Sequence, residues 1–415
     1  MSDLPTIDYS GAVTHLLSLG LELKAGKFGL ANITRLAAAL HHPEQACPSV
    51  LVAGTNGKGS TAAMLEAVLR AAGFRTGLYT SPHLASINER IRVAGEKITD
   101  NDFAAAFAAV QEVIERLLAA GDLEKHPSFF ECLTALAWEH FRRAGCQIQI
   151  LEVGMGGRLD ATNIVKSLVS VITPVDFDHE AYLGNTLEQI AGEKAGIIKQ
   201  AGVVVMAEQR PEAEQVILRA AAGRGARLVR AASFRPRAAK YELSLMGDHQ
   251  VLNASTVLAA IEELRTAGWA IPEEAVRQGL GHTNWPGRLE CISRRPDVYL
   301  DGAHNPAGAR VLRAFLETTP RPRALVFGAM RDKAVAEMAE ILFPAADAVV
   351  LTQPSHKRAA TAEGLRELTA HLNDSLHVCP SPDKALALAL ELAGAEGTVM
   401  VAGSLYLVGD LKQDR

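Results

Sequence analysis

A glycine-rich loop between a strand and a helix constrains the fold of this chain more than any other feature. Residues 50–53 form a short apolar run that predicts a buried strand, residues 60–72 have helical spacing, and residues 53–61 read AGTNGKGST. Glycines let the backbone curl so that its N–H groups converge, and the helix N-terminus adds positive potential. The order strand, loop, helix therefore predicts a phosphate-binding loop on a parallel α/β sheet.

Polar residues in this loop indicate the chemistry that it can support. Lys58 can meet the outer phosphates of a nucleotide, and Ser60 or Thr61 can supply a hydroxyl to Mg²⁺. The spacing departs from the common phosphate loop, because two residues rather than four separate Gly54 from the Gly–Lys pair. In addition, Gly59 stands between the lysine and the hydroxyls. The lysine and the strand–loop–helix context still favour phosphate binding.

Two other interpretations of the loop stay open on the residues alone. Residues 57–62 also match the dinucleotide-binding pattern G-x-G-x-x-A, which places a ribose-binding acid about 20 residues further on. No Asp or Glu occurs between Glu66 and Glu89, so the sequence disfavours a dinucleotide. The third interpretation is a glycine-rich turn without a ligand.

Apolar runs and helical stretches alternate along the rest of the chain, which predicts a parallel sheet covered on both faces. Strands are expected at residues 77–80, 148–153, 168–173 and 203–207, and helices at 102–120, 129–144 and 253–267. The mixed segment 223–249 would fit two antiparallel strands. The alternation restarts after the Pro- and Gly-containing segment 282–288, with strands expected at 298–300, 324–327, 348–351 and 399–402.

These patterns predict two domains, as the length of 415 residues also favours. We expect a P-loop-containing parallel-sheet ATPase domain at residues 1–283 and a linker at residues 284–288. A smaller Rossmann-like α/β domain is expected at residues 289–415.

Composition and charge exclude several functional classes. The net charge is −5 with Lys and Arg spread along the chain, so no nucleic-acid-binding surface is expected. No apolar run approaches the roughly 20 residues of a membrane span, and the acidic N-terminal segment 1–17 does not resemble a signal peptide. The five cysteines are scattered without a CxxC pair, which favours a reducing compartment. We expect a soluble cytoplasmic protein.

Acidic residues at the ends of two predicted strands are candidates for a metal site. Glu152 closes the run 148–152, and Asp176, Asp178 and His179 follow the strand that ends at residue 173. Parallel α/β sheets gather ligands at the carboxyl edge of their strands, and carboxylate oxygens suit Mg²⁺. The alternative for Glu152 is a solvated acid at a strand end, and histidine is an unusual Mg²⁺ ligand.

A lysine in the segment 192–199, GEKAGIIK, is harder to assign from the residues alone. A single lysine on a helix is most often solvated. Near two phosphate-binding elements, however, Lys194 could clamp an acyl phosphate.

Seven motifs occur in one order along most of the chain, and together they resemble a known family. They are GTNGKGST at 54–61, YTSPHL with NERI at 79–91, EVGMGGRLDATN at 152–163, DHEAYLG at 178–184, GEKAGIIK at 192–199, WPGR at 285–288 and DGAHNP at 301–306. Any one of them could arise by chance, but seven in register could not. The set resembles the folylpolyglutamate synthase and dihydrofolate synthase family, a branch of the Mur ligase superfamily.

The resemblance implies roles for residues that match the family motifs. ATP would be bound by Gly57, Lys58, Gly59, Ser60, Asn253, Arg288 and Asp301. Mg²⁺ would be held by Ser60, Ser81, Glu152 and His179. The folate or pterin pocket would be lined by Ser128, Phe129, Phe130, Glu131, Arg158, Leu159 and Asp160. The catalytic residues would be Lys58, Lys194 and His304.

The resemblance also implies that Lys194 reacts with CO₂ to give a carbamate. This product replaces a positive charge near Mg²⁺ and Lys58 with a negative charge and two hard oxygen donors. Its formation requires a neutral amine, which burial or nearby cations would favour. The small residues of GEKAGI leave room for the added group.

The implied activity is an ATP-dependent ligation of small molecules. ATP would phosphorylate a carboxylate, and the amine of L-glutamate would attack the acyl phosphate, which adds glutamate to folates and also to 7,8-dihydropteroate. Residues 1–283 would bind ATP and folate, residues 289–415 would form the glutamate-ligase domain, and the protein would act as a monomer. A synthase that only extends folates, and a different nucleotide-hydrolysing P-loop enzyme, stay as alternatives.

Overall fold

The computed structural model describes residues 7–20 and 29–413. The first six residues of the N-terminal segment considered above lie outside this part. Contacts divide the chain into two units. The first comprises Met1–Val175, His179–Leu243 and Val251–Thr283, and the second comprises Asp176–Asp178, Ser244–Gln250 and Asn284–Arg415. Two short segments that precede the linker in sequence therefore group with the second unit.

The first unit is built on a sheet that has eight strands within the described residues. They are β1 (Ser49–Ala53), β2 (Thr76–Tyr79), β3 (Ile91–Val93), β4 (Glu96–Lys97), β5 (Ile148–Glu152), β6 (Ser167–Ile172), β7 (Val203–Met206) and β8 (Arg227–Arg230). Their order is β4-β3-β2-β5-β1-β6-β7-β8. The β2–β3 and β3–β4 pairs are antiparallel and the others are parallel. Every residue of β1, β2 and β5 is buried, as expected of strands covered on both faces.

Helices connect these strands. They are α1 (Tyr9–Ser18), α2 (Ala31–Ala39), α3 (Lys58–Ala71), α4 (Asp100–Ala120), α5 (Phe129–Arg143), α6 (Glu180–Leu183), α7 (Leu187–Ala195), α8 (Pro211–Gly223), α9 (Arg235–Ala238), α10 (Asp248–Thr266) and α11 (Glu273–Gly281). Short 3₁₀ helices lie at Pro43–Gln45, Ile87–Arg90, Ala161–Ile164 and Ala231–Phe234. Local chemistry sets their ends: α4 begins after Thr99, whose side chain accepts from Asp102 N, and ends at Gly121 in the left-handed conformation.

The segment 223–249 differs from the prediction of two antiparallel strands. It forms one strand, β8, which pairs in parallel with β7, and then the 3₁₀ helix Ala231–Phe234 and α9. Pro236 lacks the N–H that a strand ladder needs, and it occupies the first turn of α9, where that N–H is not required. The alanines around it also favour helix over strand.

The second unit has a sheet of six strands, all within residues 284–413, which the structure describes throughout. They are β9 (Glu290–Ser293), β10 (Asp297–Leu300), β11 (Arg323–Phe327), β12 (Ala348–Leu351), β13 (Leu376–Val378) and β14 (Thr398–Ala402), in the order β13-β12-β11-β14-β10-β9. Only β9 runs antiparallel to its neighbour.

The helices of this unit are α12 (Pro306–Leu316), α13 (Val335–Leu342), α14 (Ala362–Thr369), α15 (Pro382–Ala393) and α16 (Leu405–Gln413), with 3₁₀ turns at Phe343–Ala345 and Ala370–Leu372. Its core includes Phe327, Met338, Phe343 and Leu351. None of the described helices combines the length and apolar composition that a membrane crossing needs. Two parallel-rich α/β sheets confirm the predicted fold class.

The carboxyl ends of four neighbouring strands lie at one edge of the first sheet. Val52 of β1 lies opposite Glu152 of β5, and Ala53 lies opposite Ile172 of β6. β2 pairs with β5 in the same direction. The segments that leave this edge are 54–61, 80–84, 153–160 and 173–175, and they carry half of the predicted site residues of the first unit.

Candidate functional site

The phosphate loop needs glycine at two positions for steric reasons. Gly54 has a φ of 147°, and an added Cβ would lie 1.9 Å from Thr173 Oγ1. Gly57 has a φ of 83°, and an added Cβ would lie 2.4 Å from Oδ1 of the buried Asn253. The loop is therefore tightly packed against the end of β6 and against Asn253. The structure brings two of the predicted nucleotide contacts, Gly57 and Asn253, together.

Two lysine side chains converge on the carbonyl oxygen of Gly54. Lys58 Nζ donates to Gly54 O and to Thr55 O, both at 3.1 Å. Lys194 Nζ, in the last turn of α7, donates to Gly54 O at 2.8 Å, and its residue is only 4% exposed. Lys194 is thus a buried lysine with a second lysine bonded to the same carbonyl oxygen. The two predicted catalytic lysines therefore meet at the phosphate loop.

Hydroxyl groups lie in the first turn of α3, directly after the loop. Gly59, Ser60 and Thr61 are all buried there, and Thr61 N donates to Gly57 O at 2.9 Å. Thr61 Oγ1 has no hydrogen-bond partner among the described residues. Because buried hydroxyls nearly always have a partner, this oxygen is one that a bound group could use.

Glu152 is a buried carboxylate at the same edge of the sheet. Its Oε2 accepts a hydrogen bond from Ser81 N at 3.1 Å, and the residue is 4% exposed. His179 is the N-cap of α6, with a φ of 53°. Within residues 7–20 and 29–413, no three His, Cys, Asp or Glu side chains converge as a complete metal site. The donor set nevertheless fits Mg²⁺, which commonly takes one or two carboxylates and completes its shell with waters and substrate phosphates.

Asp160 organises the glycine-rich loop 153–160 through four accepted hydrogen bonds. Its Oδ2 accepts from Gly154 N at 3.0 Å and Met155 N at 3.2 Å, and its Oδ1 accepts from Thr162 N at 3.0 Å and Thr162 Oγ1 at 2.5 Å. Burial raises the pKa of Asp160 to about 6, although these four donors act in the opposite direction. The carboxylate therefore determines the shape of the loop.

Arg158 docks the same loop onto α7. Its Nη2 and Nε lie 2.8 and 3.1 Å from Glu193 Oε1, and its backbone N donates to Glu193 O at 2.8 Å. An added Cβ at Gly196 would lie 2.3 Å from Arg158 Cβ, so glycine is required for this approach. Leu159 is half-buried beside it. The loop is thus held against the helix that carries Lys194.

The segment that was predicted to line the pterin pocket forms the start of α5. Ser128 Oγ accepts from Glu131 N at 3.3 Å, while Glu131 Oε2 accepts from Ser128 N and Ser128 Oγ, both at 2.8 Å. This is a capping box, which satisfies free backbone donors at a helix start. Phe129 is buried, with the guanidinium of Arg90 5.3 Å from its ring centre. Three of the four predicted side chains therefore serve the helix start or the core.

Phe130 is the remaining member of this segment and is half-buried. An added Cβ at Gly154 would lie 2.7 Å from Phe130 Cζ, so the ring lies directly over that glycine. The centre of the Tyr79 ring lies 5.8 Å from the centre of the Phe130 ring. The structure therefore brings Phe130 to the loop that Asp160 organises.

In the second unit, Arg288 and Asp301 are neighbours. Leu289 N donates to Asp301 Oδ2 at 2.9 Å, and Ala303 N donates to Asp301 Oδ1 at 2.8 Å. An added Cβ at Gly302 would lie 2.4 Å from Arg288 Nη1, so the guanidinium passes close over that glycine. Both oxygens of Asp301 are occupied by backbone donors, which fixes its orientation.

His304 lies beside an ion pair that sequence reasoning missed. Its Nδ1 is 2.8 Å from Gly302 O, and its Nε2 is 3.6 Å from Asp178 Oδ2. Lys333 Nζ lies 2.5 Å from the other oxygen, Asp178 Oδ1, and both side chains are largely buried. Lys333 follows β11 at the carboxyl edge of the second sheet. That placement, which drew attention to Glu152, could have identified the lysine as well.

Comparisons with known proteins find related sequences over most of the chain. Residues 52–261 match the Mur ligase middle domain, and residues 287–405 match the Mur ligase glutamate ligase domain. A dihydrofolate synthase/folylpolyglutamate synthase from Bacillus subtilis is 36% identical, with 94% of this chain and 96% of that protein covered.

Two solved structures extend this similarity to three dimensions. Escherichia coli FolC in complex with DHPP and ADP has a TM-score of 0.87 at 32% identity, covering 98% of this chain and 97% of that one. A bifunctional folylpolyglutamate synthase/dihydrofolate synthase from Yersinia pestis, complexed with AMPPNP and Mn ion, has a TM-score of 0.86 at 30% identity. The match covers 100% of this chain and 99% of that one. Matches of this extent show that the chain belongs to the folylpolyglutamate synthase/dihydrofolate synthase family of the Mur ligase superfamily.

Proposed function

We propose that this chain uses ATP to join L-glutamate to folates and to 7,8-dihydropteroate. The observation that carries the proposal is the meeting of Lys58 and Lys194 at Gly54 O within a phosphate loop. The Lys58 ammonium at this point suits a polyphosphate and the charge that develops as a phosphoryl group moves, and Lys194 places a second functional group beside it. The activities in the names of the relatives from B. subtilis and Y. pestis support the choice of substrates.

The nucleotide would lie along the phosphate loop. Its contacts would be Gly57, Lys58, Gly59, Ser60, Asn253, Arg288 and Asp301. The close packing of Gly57 against Asn253 and the fixed carboxylate of Asp301 support these assignments. The nucleotides in the related E. coli and Y. pestis structures support ATP as the substrate.

Mg²⁺ would be held by Ser60, Ser81, Glu152 and His179. When bound, the metal supplies positive charge beside the transferred phosphoryl group. The buried Glu152 carboxylate bonded to Ser81 N supports this set, as does the Mn ion in the related Y. pestis structure. The unpartnered Thr61 hydroxyl next to Ser60 adds a further oxygen at the same helix start.

The chemistry would proceed by activation of a carboxylate. An amide does not form readily in water from a carboxylate and an amine, so a phosphoryl group is first transferred to the folate carboxylate. Lys58 would stabilise the negative charge on that group. The amine of glutamate would then attack the acyl carbon and release phosphate. His304 and Lys333 lie beside the carboxylate of Asp178, and the Lys333 ammonium so placed suits an amino acid that itself carries carboxylates.

Lys194 would act as a carbamate, formed when its neutral amine attacks CO₂ and loses a proton. Its burial and the nearby Lys58 ammonium support this proposal, because both favour the neutral amine. An unmodified lysine that contacts phosphate directly is the competing assignment.

The folate would contact Phe130 and the loop that contains Arg158, Leu159 and Asp160. A half-buried ring over Gly154 is suited to stack on a flat pterin. Ser128, Phe129 and Glu131 would contribute by holding the start of α5 so that Phe130 is presented correctly. Asp160 would act through the shape of its loop.

The proposal extends to the organisation of the protein. Residues 1–283 would bind ATP and folate, residues 284–288 would link the domains, and residues 289–415 would act as the glutamate-ligase domain of a cytoplasmic monomer. All five cysteines are free, which supports a reducing compartment.

An ADP-release assay with 7,8-dihydropteroate and tetrahydrofolate side by side tests the proposal. ADP should form only when glutamate and one of these substrates are both present, and both should serve. Activity with tetrahydrofolate alone would instead indicate a synthase that only extends folates. ADP release that is indifferent to glutamate would overturn the ligase assignment in favour of another nucleotide-hydrolysing enzyme.

A further inference from the structure

A histidine outside the assigned residues lies beside the Arg288–Asp301 pair. The segment Ser244–Gln250 groups with the second unit, although it precedes the linker in sequence. Gly247 in this segment has a φ of 99°, and an added Cβ would lie 2.7 Å from His249 Cε1 and 2.8 Å from Leu289 Cδ1. The imidazole and the leucine side chain therefore meet over the same glycine.

Leu289 connects this contact to the nucleotide residues. It directly follows Arg288, and its backbone N donates to Asp301 Oδ2 at 2.9 Å. The His249 ring thus lies beside the residue whose peptide joins Arg288 to the Asp301 carboxylate. Loss of the ring would leave space beside this peptide, and the arginine and the carboxylate would both lose a support.

The charged groups that face the ring determine which protonation state the site tolerates. They are Asp301, Arg288 and Asp248. Burial is the largest cause and lowers the pKa of His249; Asp301, the next largest, raises the pKa, Arg288 lowers it and Asp248 raises it. Its Nε2 lies 3.1 Å from Gln250 Nε2. An amide N–H can donate to an imidazole nitrogen only if that nitrogen carries no proton, so the contact assigns the neutral ring with its proton on Nδ1.

We propose that His249 is a positioning residue for the nucleotide site, which as a neutral ring holds the peptide between Arg288 and Asp301 in the geometry that binds ATP. This inference rests on the proposed nucleotide contacts of those two residues. A protonated ring would repel Arg288 and pull on Asp301, whose oxygens are already bonded to backbone donors. ATP binding should therefore weaken at acidic pH through this histidine.

Three variants separate positioning from simple packing. In His249→Ala the ring is absent, and we expect the KM for ATP to rise roughly ten-fold, with the KM for folate unchanged. In His249→Phe the space of the ring stays filled but the ring cannot be protonated, so ATP affinity should be largely restored near neutral pH and should fall less toward about pH 5.5 than in the unaltered protein. Gly247→Ala would push the ring aside and should resemble His249→Ala. His356→Phe is the matched control, because that histidine stacks on Tyr406 in the same unit.

The decisive measurement is calorimetric binding of ADP to the full-length protein and its variants at about pH 7.5 and about pH 5.5. Nucleotide binding needs no ligation, so a ligase assignment that failed would leave this result interpretable. We expect a loss of ADP affinity in His249→Ala and Gly247→Ala, and a smaller fall in affinity between the two pH values in His249→Phe than in the unaltered protein. The comparison with the unaltered protein cancels the protonation of the terminal phosphate of ADP, whose second pKa lies at about 6. Unchanged ADP affinity in both small-residue variants would overturn the proposal, as would an equal fall in affinity in His249→Phe and the unaltered protein. If His249→Ala does not fold, the ADP affinity of Gly247→Ala tests the positioning role of His249.

Discussion

The phosphate loop and the start of α5 were both assigned to ligands by their sequence motifs, yet they use their residues differently. At the phosphate loop, residues 54–61, the side chains of Lys58 and of Lys194 from α7 both bond to Gly54 O. At residues 128–131 the polar side chains of Ser128 and Glu131 bond to each other's backbone, and Phe129 is buried.

This difference shows what a motif can specify. A loop that binds through backbone N–H groups needs glycines at fixed places, so its sequence directly reflects its function. A helix start needs a capping residue whether or not a ligand is near. A Ser-x-x-Glu segment therefore carries a structural requirement that can be mistaken for a binding role.

The largest effect should come from Lys58→Ala. Removal of a cation that faces the transferred phosphoryl group should lower kcat roughly 10³-fold. The thermal unfolding midpoint should change little, because the side chain makes its bonds to the loop alone. Steady-state ADP release measures the change in kcat, and thermal unfolding measures the change in the midpoint. Lys166→Ala, at an exposed lysine, is the control. Near-normal ADP release by Lys58→Ala would contradict the assignment of this loop to nucleotide binding.

Lys194→Ala should lower kcat roughly 10²-fold, because the proposed site would lose one of the groups that organise its charges for phosphoryl transfer. A carbamate also predicts partial rescue by short carboxylic acids, whose two oxygens can occupy the vacated space. Lys199→Ala is a matched control in the same motif, because its Nζ bonds to Asn163 O and Oδ1 at 2.7 Å. That variant should show no rescue. High-resolution density that ends at a bare amine in crystals grown with bicarbonate would contradict the carbamate.

Gly57→Ala tests whether nucleotide binding depends on the backbone shape of the phosphate loop. Its Cβ would approach Asn253 Oδ1 at 2.4 Å, and its φ of 83° is strained for alanine. We expect about a ten-fold loss of ADP affinity, measured by calorimetry, because the loop must shift. Gly192→Ala is the control: that glycine lies in α7, and nothing lies within 4 Å of an added Cβ. Equal ADP affinity in both variants would argue against a loop whose shape depends on glycine.

The smallest effect belongs to Ser128→Ala at the start of α5. Loss of the cap should lower the free energy of unfolding by about 1 kcal/mol, while the KM for folate stays within about two-fold. Phe130→Leu should do the reverse, with a raised KM for folate and near-normal stability. Chemical denaturation and folate titrations measure both quantities. A higher KM for folate in Ser128→Ala without loss of stability would restore Ser128 as a direct ligand contact.

The features that the sequence predicted correctly are those with local causes. The apolar run before Gly54 and the helical spacing after it establish strand, loop and helix within about twenty residues. The buried strands of both sheets were equally visible as short apolar runs. Segment 223–249 was mispredicted because its basic and β-prone residues suggested strands, while Pro236 and its alanines favoured a helix.

Contacts between distant parts of the sequence could not be predicted from local sequence patterns. The Lys333–Asp178 pair joins residues 155 apart in sequence, and no local pattern connects a loop after β11 with a segment after β6. The bond from Lys194 to Gly54 spans 140 residues. The family resemblance singled out Lys194, but neither the residue pattern nor the resemblance predicted its contact with the carbonyl that Lys58 also binds.

Activation of a substrate carboxylate by phosphoryl transfer underlies every role proposed for these residues. The most direct test uses a folate whose reacting carboxylate carries oxygen-18, incubated with ATP and L-glutamate, followed by mass analysis of the released phosphate. An acyl phosphate leaves one carboxylate oxygen on that phosphate. One labelled oxygen in the released phosphate is therefore expected for each amide formed. Unlabelled phosphate accompanying normal amide formation would contradict it.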